Sequence, residues 1–177
     1  MARKEQPIEF RTMAVLVDNE PGVLARVIGL FSGRGYNIES LTVTEVDKEK
    51  ALSRINLITS GTPQVLEQIK AQLDRLVPVH EVRDLTHAGP YVERELALIK
   101  VVSSGEKRVE CLRIADVFKA SVVDAGLEHF IFQIQHRSDT IERFISLMRS
   151  LGSVEIARTG VVAMTRGSEL MHGRDIA

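Results

Sequence analysis

The chain runs Phe10-Arg-Thr-Met-Ala-Val-Leu-Val-Asp-Asn-Glu-Pro-Gly22 across a change from apolar to turn-forming residues. The apolar run over residues 10–17 predicts a buried strand. Pro21 suits the first turn of a helix, where the missing N–H costs no hydrogen bond. Apolar residues then recur at the three- and four-residue spacing of a helix with one buried face: Leu24, Val27, Ile28 and Phe31. The stretch therefore predicts a strand that passes through a tight turn into a helix.

Further short elements follow this strand and helix in the first half of the chain. Alternation of apolar and polar residues predicts strands over residues 40–44 and 54–59. Pro63 opens a second helix, and residues 77–84 complete the pattern as an edge strand. The order β-α-β-β-α-β over residues 10–84 is the ferredoxin-like arrangement.

The second half shows the same order of elements with little residue identity to the first half. Strands are predicted over residues 95–102, 121–135 as a hairpin, and 154–164. A helical stripe containing Cys111 follows the first of these strands. Asp139-Thr-Ile-Glu142 has the spacing of a capping box that opens the last helix.

These patterns predict an α+β chain with two ferredoxin-like βαββαβ domains in tandem. The domains are expected over residues 10–84 and 93–166, joined by a linker at 85–92. The ends, residues 1–9 and 167–177, show no clear pattern and are expected to be flexible.

Composition excludes several classes of function. There are 23 Lys and Arg against 24 Asp and Glu, a net charge of −1, so the excess of positive charge that non-specific nucleic-acid binding needs is absent. A single cysteine, Cys111, excludes an internal disulfide framework. No apolar run approaches the ~20 residues of a membrane span, and the N-terminus has no apolar signal-peptide region. We therefore expect a cytoplasmic protein that binds neither nucleic acid nor membrane.

The sequence gives little support to catalysis or metal binding. The five histidines show no His-x-x-x-His spacing, and Cys111 lies on an apolar helical stripe, where a structural thiol is the expected role. Gly33 and Gly35 fall at a helix end, where left-handed capping explains them better than phosphate binding. The predicted third strand carries no aromatic residue for stacking on RNA bases. We assign no catalytic residue and no metal ligand.

A small polar cluster is the strongest candidate site. The N–H groups of Gly22, Val23 and Leu24 open the first helix, and a helix N-terminus attracts anions such as a carboxylate. Asn19 and Asn37 add two amides at loop positions. Such groups can hold a zwitterion but cannot act as a nucleophile or a general base. The residues alone leave a structural alternative open, in which Asn19 caps the helix and Gly22 fits a tight turn.

Two motifs resemble the ACT domain, a βαββαβ module that senses amino acids: Asp18-Asn-Glu-Pro-Gly-Val-Leu24 and Gly35-Tyr-Asn-Ile-Glu-Ser40. The longer run Arg26–Val43 resembles the small, regulatory subunits of acetolactate synthase more closely than ACT domains at large. The runs 65–76, 92–100 and 154–162 extend the resemblance over residues 10–166.

This resemblance implies a regulatory role. Small subunits of this family activate a large catalytic subunit that carries thiamine diphosphate, Mg²⁺ and FAD, and they confer feedback inhibition by valine or another branched-chain amino acid. The resemblance also implies a homodimer of ACT domains with the effector at the pair interface. The effector contacts carried over to this chain are Asn19, Gly22, Val23 and Leu24 from one protomer with Asn37 and Ile38 from the other. A free-standing amino-acid sensor with a different client is the alternative.

Overall fold

The computed structural model describes residues 7–172. The expectation of flexibility at residues 1–6 and 173–177 lies outside the described residues. The elements in chain order are β1 (Glu9–Asp18), α1 (Val23–Ser32), β2 (Asn37–Asp47), β3 (Leu52–Gly61), α2 (Pro63–Asp74), β4 (Val79–Asp84), β5 (Tyr91–Val102), α3 (Gly105–Val117), β6 (Ser121–Ala125), β7 (His129–His136), α4 (Ser138–Leu151), β8 (Ser153–Arg158) and β9 (Val162–Thr165).

The chain divides into two compact units, and the first is not continuous in sequence. It contains the chain up to Val92 together with the segment from Val162 onward, whereas Glu93–Val161 form the second unit. The described residues after Val161 therefore pack with the N-terminal half of the chain.

The first unit is built on a four-stranded antiparallel sheet with the order β2-β3-β1-β4. Alternate residues of the central strands, such as Val15 and its partner Ile55, point to one face and pack against α1 and α2. The core of this face is Met13, Val15, Val17, Val23, Val27, Phe31, Ile55, Leu57, Leu66, Ile69, Leu73 and Val79. Strands β2 and β4 form the two edges of the sheet.

The two described helices of the first unit, α1 and α2, pack on that core, and the opposite face of the sheet, called here the helix-free face, is covered in part by other residues. Ala14 and Leu16 alternate with the core residues of β1, yet they are 0% and 5% exposed. Strand β9 contacts β1, and Arg54 on β3 donates from Nη2 to the carbonyl oxygen of Ala163 at 2.7 Å. The returning C-terminal segment therefore crosses the helix-free face of the first sheet.

The second unit contains an antiparallel sheet with the order β6-β7-β5-β8. Its core contains an aromatic cluster in which Phe132 lies edge-on to Phe144, with ring centroids 5.9 Å apart. Helices α3 and α4 bury one face each against it, α3 through Cys111 and Ala115. The strand order in both units confirms the predicted tandem of ferredoxin-like folds.

Several local predictions were wrong. The last strand does not run unbroken over 154–164, because β8 ends at Arg158 and Gly160 turns the chain with φ of +84°. In the segment 85–92, expected as a linker, Leu85 is fully buried and its N–H donates to the carbonyl oxygen of Thr12 at 2.9 Å, whereas residues 86–90 are exposed.

The predicted helix caps also differ. Helix α4 begins at Ser138 with Arg137 as its N-cap residue, two positions earlier than the capping box requires, and Asp139 accepts a hydrogen bond from the N–H of Thr140 instead. Of the two capping glycines, Gly35 has a left-handed φ of +67°, whereas Gly33 stays right-handed at −67°. The left-handed residue that follows helix α1 is therefore Gly35, two positions after the C-cap residue Gly33.

Candidate functional site

The turn between β1 and α1 is closed by a glycine that no other residue replaces easily. Gly22 is the N-cap residue of α1 with φ of +86°, and no side chain caps this helix end. Helix α1 begins at Val23, so Pro21 lies in the turn before the helix and not in its first turn as predicted. An L side chain at φ of +86° is strained, which explains the glycine.

The helix end leaves backbone donors for a ligand. The N–H of Val23 closes a turn onto the carbonyl oxygen of Glu20 at 3.3 Å, and that of Arg26 donates to Gly22 at 3.0 Å. Within residues 7–172, the N–H groups of Gly22 and Leu24 have no protein acceptor. Such free donors at a helix N-terminus favour an anion.

Asn19 does not cap helix α1, because its side chain is hydrogen-bonded to residues of β3 and β2. Its Oδ1 accepts a hydrogen bond from the Ser53 hydroxyl at 3.0 Å, and its Nδ2 donates to Glu45 Oε1 at 2.9 Å. Ser53 is paired with Glu45 in the ladder between β3 and β2, so all three residues lie at one level of the sheet. The capping role that the sequence left open for Asn19 is therefore excluded.

Asn37 and Ile38 begin the edge strand β2. The Asn37 side chain donates from Nδ2 to Glu39 Oε1 at 2.6 Å, and its carbonyl accepts from the Thr59 hydroxyl at 2.6 Å. The side chain of Ile38 packs on the helix-covered core.

The two asparagines lie at opposite ends of the same sheet. Asn19 lies beside Ser53, whereas Asn37 pairs with Ser60, seven residues further along β3. At ~3.3 Å per residue this separates them by about 23 Å. Within one chain, therefore, the structure groups Asn19 with the residues of the Gly22 turn and places Asn37 and Ile38 apart from them.

The two apolar candidates at the Gly22 turn, Val23 and Leu24, differ in burial. Val23 is 4% exposed and its side chain belongs to the core, so it offers a ligand its backbone. Leu24 is half-buried beside the turn.

Three polar neighbours of the asparagines were not predicted from the sequence: Glu39, Glu45 and Ser53. The alternation of side chains along the predicted strand could have identified Ser53, because Ser53 precedes Ile55 by two residues and shares its face. A fourth neighbour, His80, contacts Asp18 through Nε2 at 2.7 Å and closes the side of the turn nearest β4.

Cysteine chemistry, metal binding and the groove of the second unit offer no alternative to this site among the described residues. Cys111 is fully buried, and burial raises the pKa of its thiol, which keeps it neutral and unreactive. Among residues 7–172, no three His, Cys, Asp or Glu side chains are placed to share a metal ion. A groove of about 520 Å³ in the second unit is lined by α3 and Leu151, and no candidate site residue lines it.

No helix between residues 7 and 172 combines the length and the apolar character needed to cross a membrane.

Comparison with known proteins identifies the family. Residues 13–81 match the model of the AHAS small subunit-like ACT domain, and residues 94–167 match the model of the small subunit of acetolactate synthase. The chain is 46% identical to a probable acetolactate synthase small subunit of Archaeoglobus fulgidus over 158 residues, which cover 89% of this chain and 98% of the relative. It is 43% identical to the acetolactate synthase isozyme 3 small subunit of Escherichia coli, over 91% of this chain and 98% of that one.

A solved structure agrees with these sequence matches. The crystal structure of the acetolactate synthase small subunit from Thermotoga maritima superimposes with a TM-score of 0.80 at 36% identity, covering 91% of this chain and 99% of that one. The chain belongs to the family of acetolactate synthase small subunits.

Proposed function

We propose that this chain is a non-catalytic regulatory subunit that activates an acetolactate synthase large subunit in the cytoplasm and confers feedback inhibition by a branched-chain amino acid, with valine as the first candidate. The family supports a role beside a catalytic subunit. Thiamine diphosphate, Mg²⁺ and FAD are then cofactors of that partner. The candidate site supports binding over reaction, because it offers amides, backbone N–H groups and apolar side chains.

The separation of Asn19 from Asn37 carries the proposal of a site shared between two chains. A free amino acid is far shorter than the ~23 Å between them, so one ligand reaches both asparagines only if they come from different protomers. Strand β2 is an open edge of the sheet and exposes Val43 and Val46, which are 45% and 51% accessible. An exposed edge of this kind is a template for pairing with a second chain.

Antiparallel pairing of β2 with a second β2 brings the two half-sites together. A two-fold axis near the middle of Asn37–Asp47 places the start of one strand beside the end of the other. Asn37 of the partner subunit then lies near Glu45, which contacts Asn19. The Glu45 carboxylate supplies a negative charge for the ammonium group of the ligand, and the helix N-terminus receives the ligand carboxylate.

The expected contributions to the free energy of valine binding are of the size that a metabolite sensor needs. Burial of the three side-chain carbons of valine contributes ~2–2.5 kcal/mol at ~0.8 kcal/mol per carbon. A carboxylate at a helix N-terminus adds ~0.3–1 kcal/mol, and up to ~2 kcal/mol when partly buried. With the remaining hydrogen bonds, these terms correspond to a dissociation constant in the micromolar to millimolar range.

Complementation between two inactive variants tests the shared site. Asn19→Ala and Asn37→Ala homodimers each carry two damaged sites, and neither should respond to valine. A mixed dimer carries one site with both asparagines intact and one site with neither, provided that the site spans two chains. With differently tagged chains, about half of randomly paired dimers are mixed and can be purified.

The measurement is acetolactate formation by the large subunit against valine concentration, with each homodimer as the control. Mixed dimers should regain partial inhibition, whereas mixed dimers as insensitive as the homodimers would show that the site lies within one chain. A large subunit that does not co-purify with this chain, or whose activity the chain leaves unchanged, would refute the regulatory role itself.

A further inference from the structure

The C-terminal strap, defined as residues 162–172, is held on the helix-free face of the first sheet by two arginines. Arg54 on β3 donates from Nη2 to the carbonyl oxygen of Ala163 at 2.7 Å. Arg83 on β4 donates from Nη1 to the Thr165 hydroxyl at 3.4 Å and from Nη2 to the carbonyl oxygen of Leu170 at 3.1 Å. We call Arg54 and Arg83 the arginine clamp.

The strap replaces solvent over part of this face. Ala163 is 6% exposed, and Leu16 beneath the covered region is 5% exposed although it points away from both helices. Glu81 adds a contact at the far end of the strap by accepting the N–H of His172 at 3.1 Å. The strap is therefore buried at Ala163 and held by hydrogen bonds further along, while Val162, Met164 and Leu170 stay exposed.

The clamp residues are close enough to interact electrostatically. Burial, followed by the positive charge of Arg83, lowers the pKa of Arg54, and Glu81 partly offsets this effect. The guanidinium stays charged, and Arg54 is half-buried with donors directed to the strap carbonyl and to Asn56. Loss of the strap would remove the Ala163 carbonyl, which accepts from Arg54 at 2.7 Å. A half-buried guanidinium that loses a hydrogen-bond acceptor raises the free energy of the folded state.

The clamp is adjacent in sequence to the residue that positions Asn19. Ser53 and Arg54 are consecutive in β3, so their side chains point to opposite faces of the sheet. Ser53 is 5% exposed and its hydroxyl holds Asn19 Oδ1 on the helix-covered face, while Arg54 holds Ala163 on the other face. A shift of β3 at this point acts on both contacts at once.

We propose that Ser53 and Arg54 transmit effector binding from Asn19 to the C-terminal strap, which is continuous in sequence with the second unit at Val161. This inference rests on the proposed function and assigns the route of the regulatory signal within it. Arg54 is then a coupling residue that touches no ligand. Effector binding changes the hold of the clamp on the strap, and the strap carries the change to the second unit.

The test removes the clamp contact and leaves the candidate effector site intact. Arg54→Met keeps the length of the side chain but has no donors, and Arg54→Lys restores the charge with a single nitrogen. Arg75→Met is the matched control, because Arg75 is an exposed arginine at the end of α2, on another element. Thermal melts of the full chains establish that each variant is folded.

Three quantities are measured for each variant. These are L-valine binding to the full chain by calorimetry, activation of the large subunit, and inhibition of the reconstituted enzyme by L-valine. Arg54→Met should bind L-valine as the wild type does and should still activate, but inhibition should weaken by about 5–150-fold, the usual range of allosteric coupling. Arg54→Lys should recover part of the inhibition.

Two results would overturn the inference. Inhibition of Arg54→Met at the wild-type L-valine concentration would show that the clamp transmits nothing. Loss of L-valine binding together with inhibition would show that Arg54 supports the site instead of coupling it. Failure of the proposed function is distinguishable from both, because it shows in the wild type, as absent L-valine binding or absent inhibition.

Discussion

A pair of substitutions at Gly22 isolates the charge of the bound effector. Gly22→Asp places a carboxylate at the N-terminus of α1, and Gly22→Asn places a side chain of the same shape without the charge. Both must adopt the left-handed φ of +86°, and no atom lies within 4 Å of the added Cβ in either variant. Any difference between the two therefore reports electrostatics and not packing.

The expected magnitudes differ for folding and for binding. The left-handed backbone costs an ordinary L residue ~1–2 kcal/mol, and Asp and Asn tolerate it best. For Gly22→Asp, a favourable interaction of ~0.3–1 kcal/mol between the carboxylate and the helix dipole offsets part of this backbone cost. Two carboxylates ~4 Å apart repel by ~4 kcal/mol at an effective dielectric constant of ~20.

The assay is acetolactate formation by the reconstituted enzyme against valine concentration. Repulsion of that size raises the half-inhibitory concentration for Gly22→Asp by more than about 100-fold relative to Gly22→Asn. Both variants should retain activation of the large subunit. Equal inhibition of the two variants would show that the effector carboxylate binds elsewhere, and loss of activation by both would show that the turn is structural.

Two further predictions concern stability. Valine at ~100 times its dissociation constant should stabilise the full chain by ~2.7 kcal/mol, measured in thermal melts with serine and glutamate as controls, and no shift with any branched-chain amino acid would contradict a site formed by this chain. Burial alone would raise the pKa of Glu95, but hydrogen bonds from Arg158 and Ser138 outweigh burial and hold that pKa below its ordinary value. The folded protein should therefore keep this stabilisation above about pH 4.5 and lose it as the pH falls further, so urea unfolding should show a weaker acid dependence for Glu95→Gln than for the exposed control Glu128→Gln.

The order of elements was predictable because hydrophobic periodicity reports it directly. Helix α4 buries Ile141, Phe144, Ile145 and Met148, which recur at the three- and four-residue spacing of a helix, and β7 alternates between more and less buried residues. Periodicity reports local burial, however, and the caps depend on single hydrogen bonds. Ser138 donates to Glu95, which is 43 positions earlier in the chain, and no local pattern at 139–142 contains that contact.

The covering of the first sheet was not predictable for a similar reason. Ala14 and Leu16 belong to a fully apolar strand, which the sequence marks as buried without indicating what covers each face. The covering segment is about 150 residues away in sequence, and two of its contacts with Arg54 and Arg83 are accepted by backbone carbonyls, which every residue possesses. The residue types at Ala163 and Leu170 therefore carry no signal of these two contacts.

The arrangement of the candidate site has a thermodynamic consequence for assembly. If the Gly22 turn of one chain and Asn37 of another both contact one effector, the effector binds the dimer more tightly than it binds either chain alone. By linkage, the effector must then strengthen the dimer by the same factor. Mutations that weaken pairing along the edge strand β2, where Val43 and Val46 are exposed, should weaken effector binding without touching the ligand. The affinity for valine and the affinity between chains are therefore linked by a single coupling free energy.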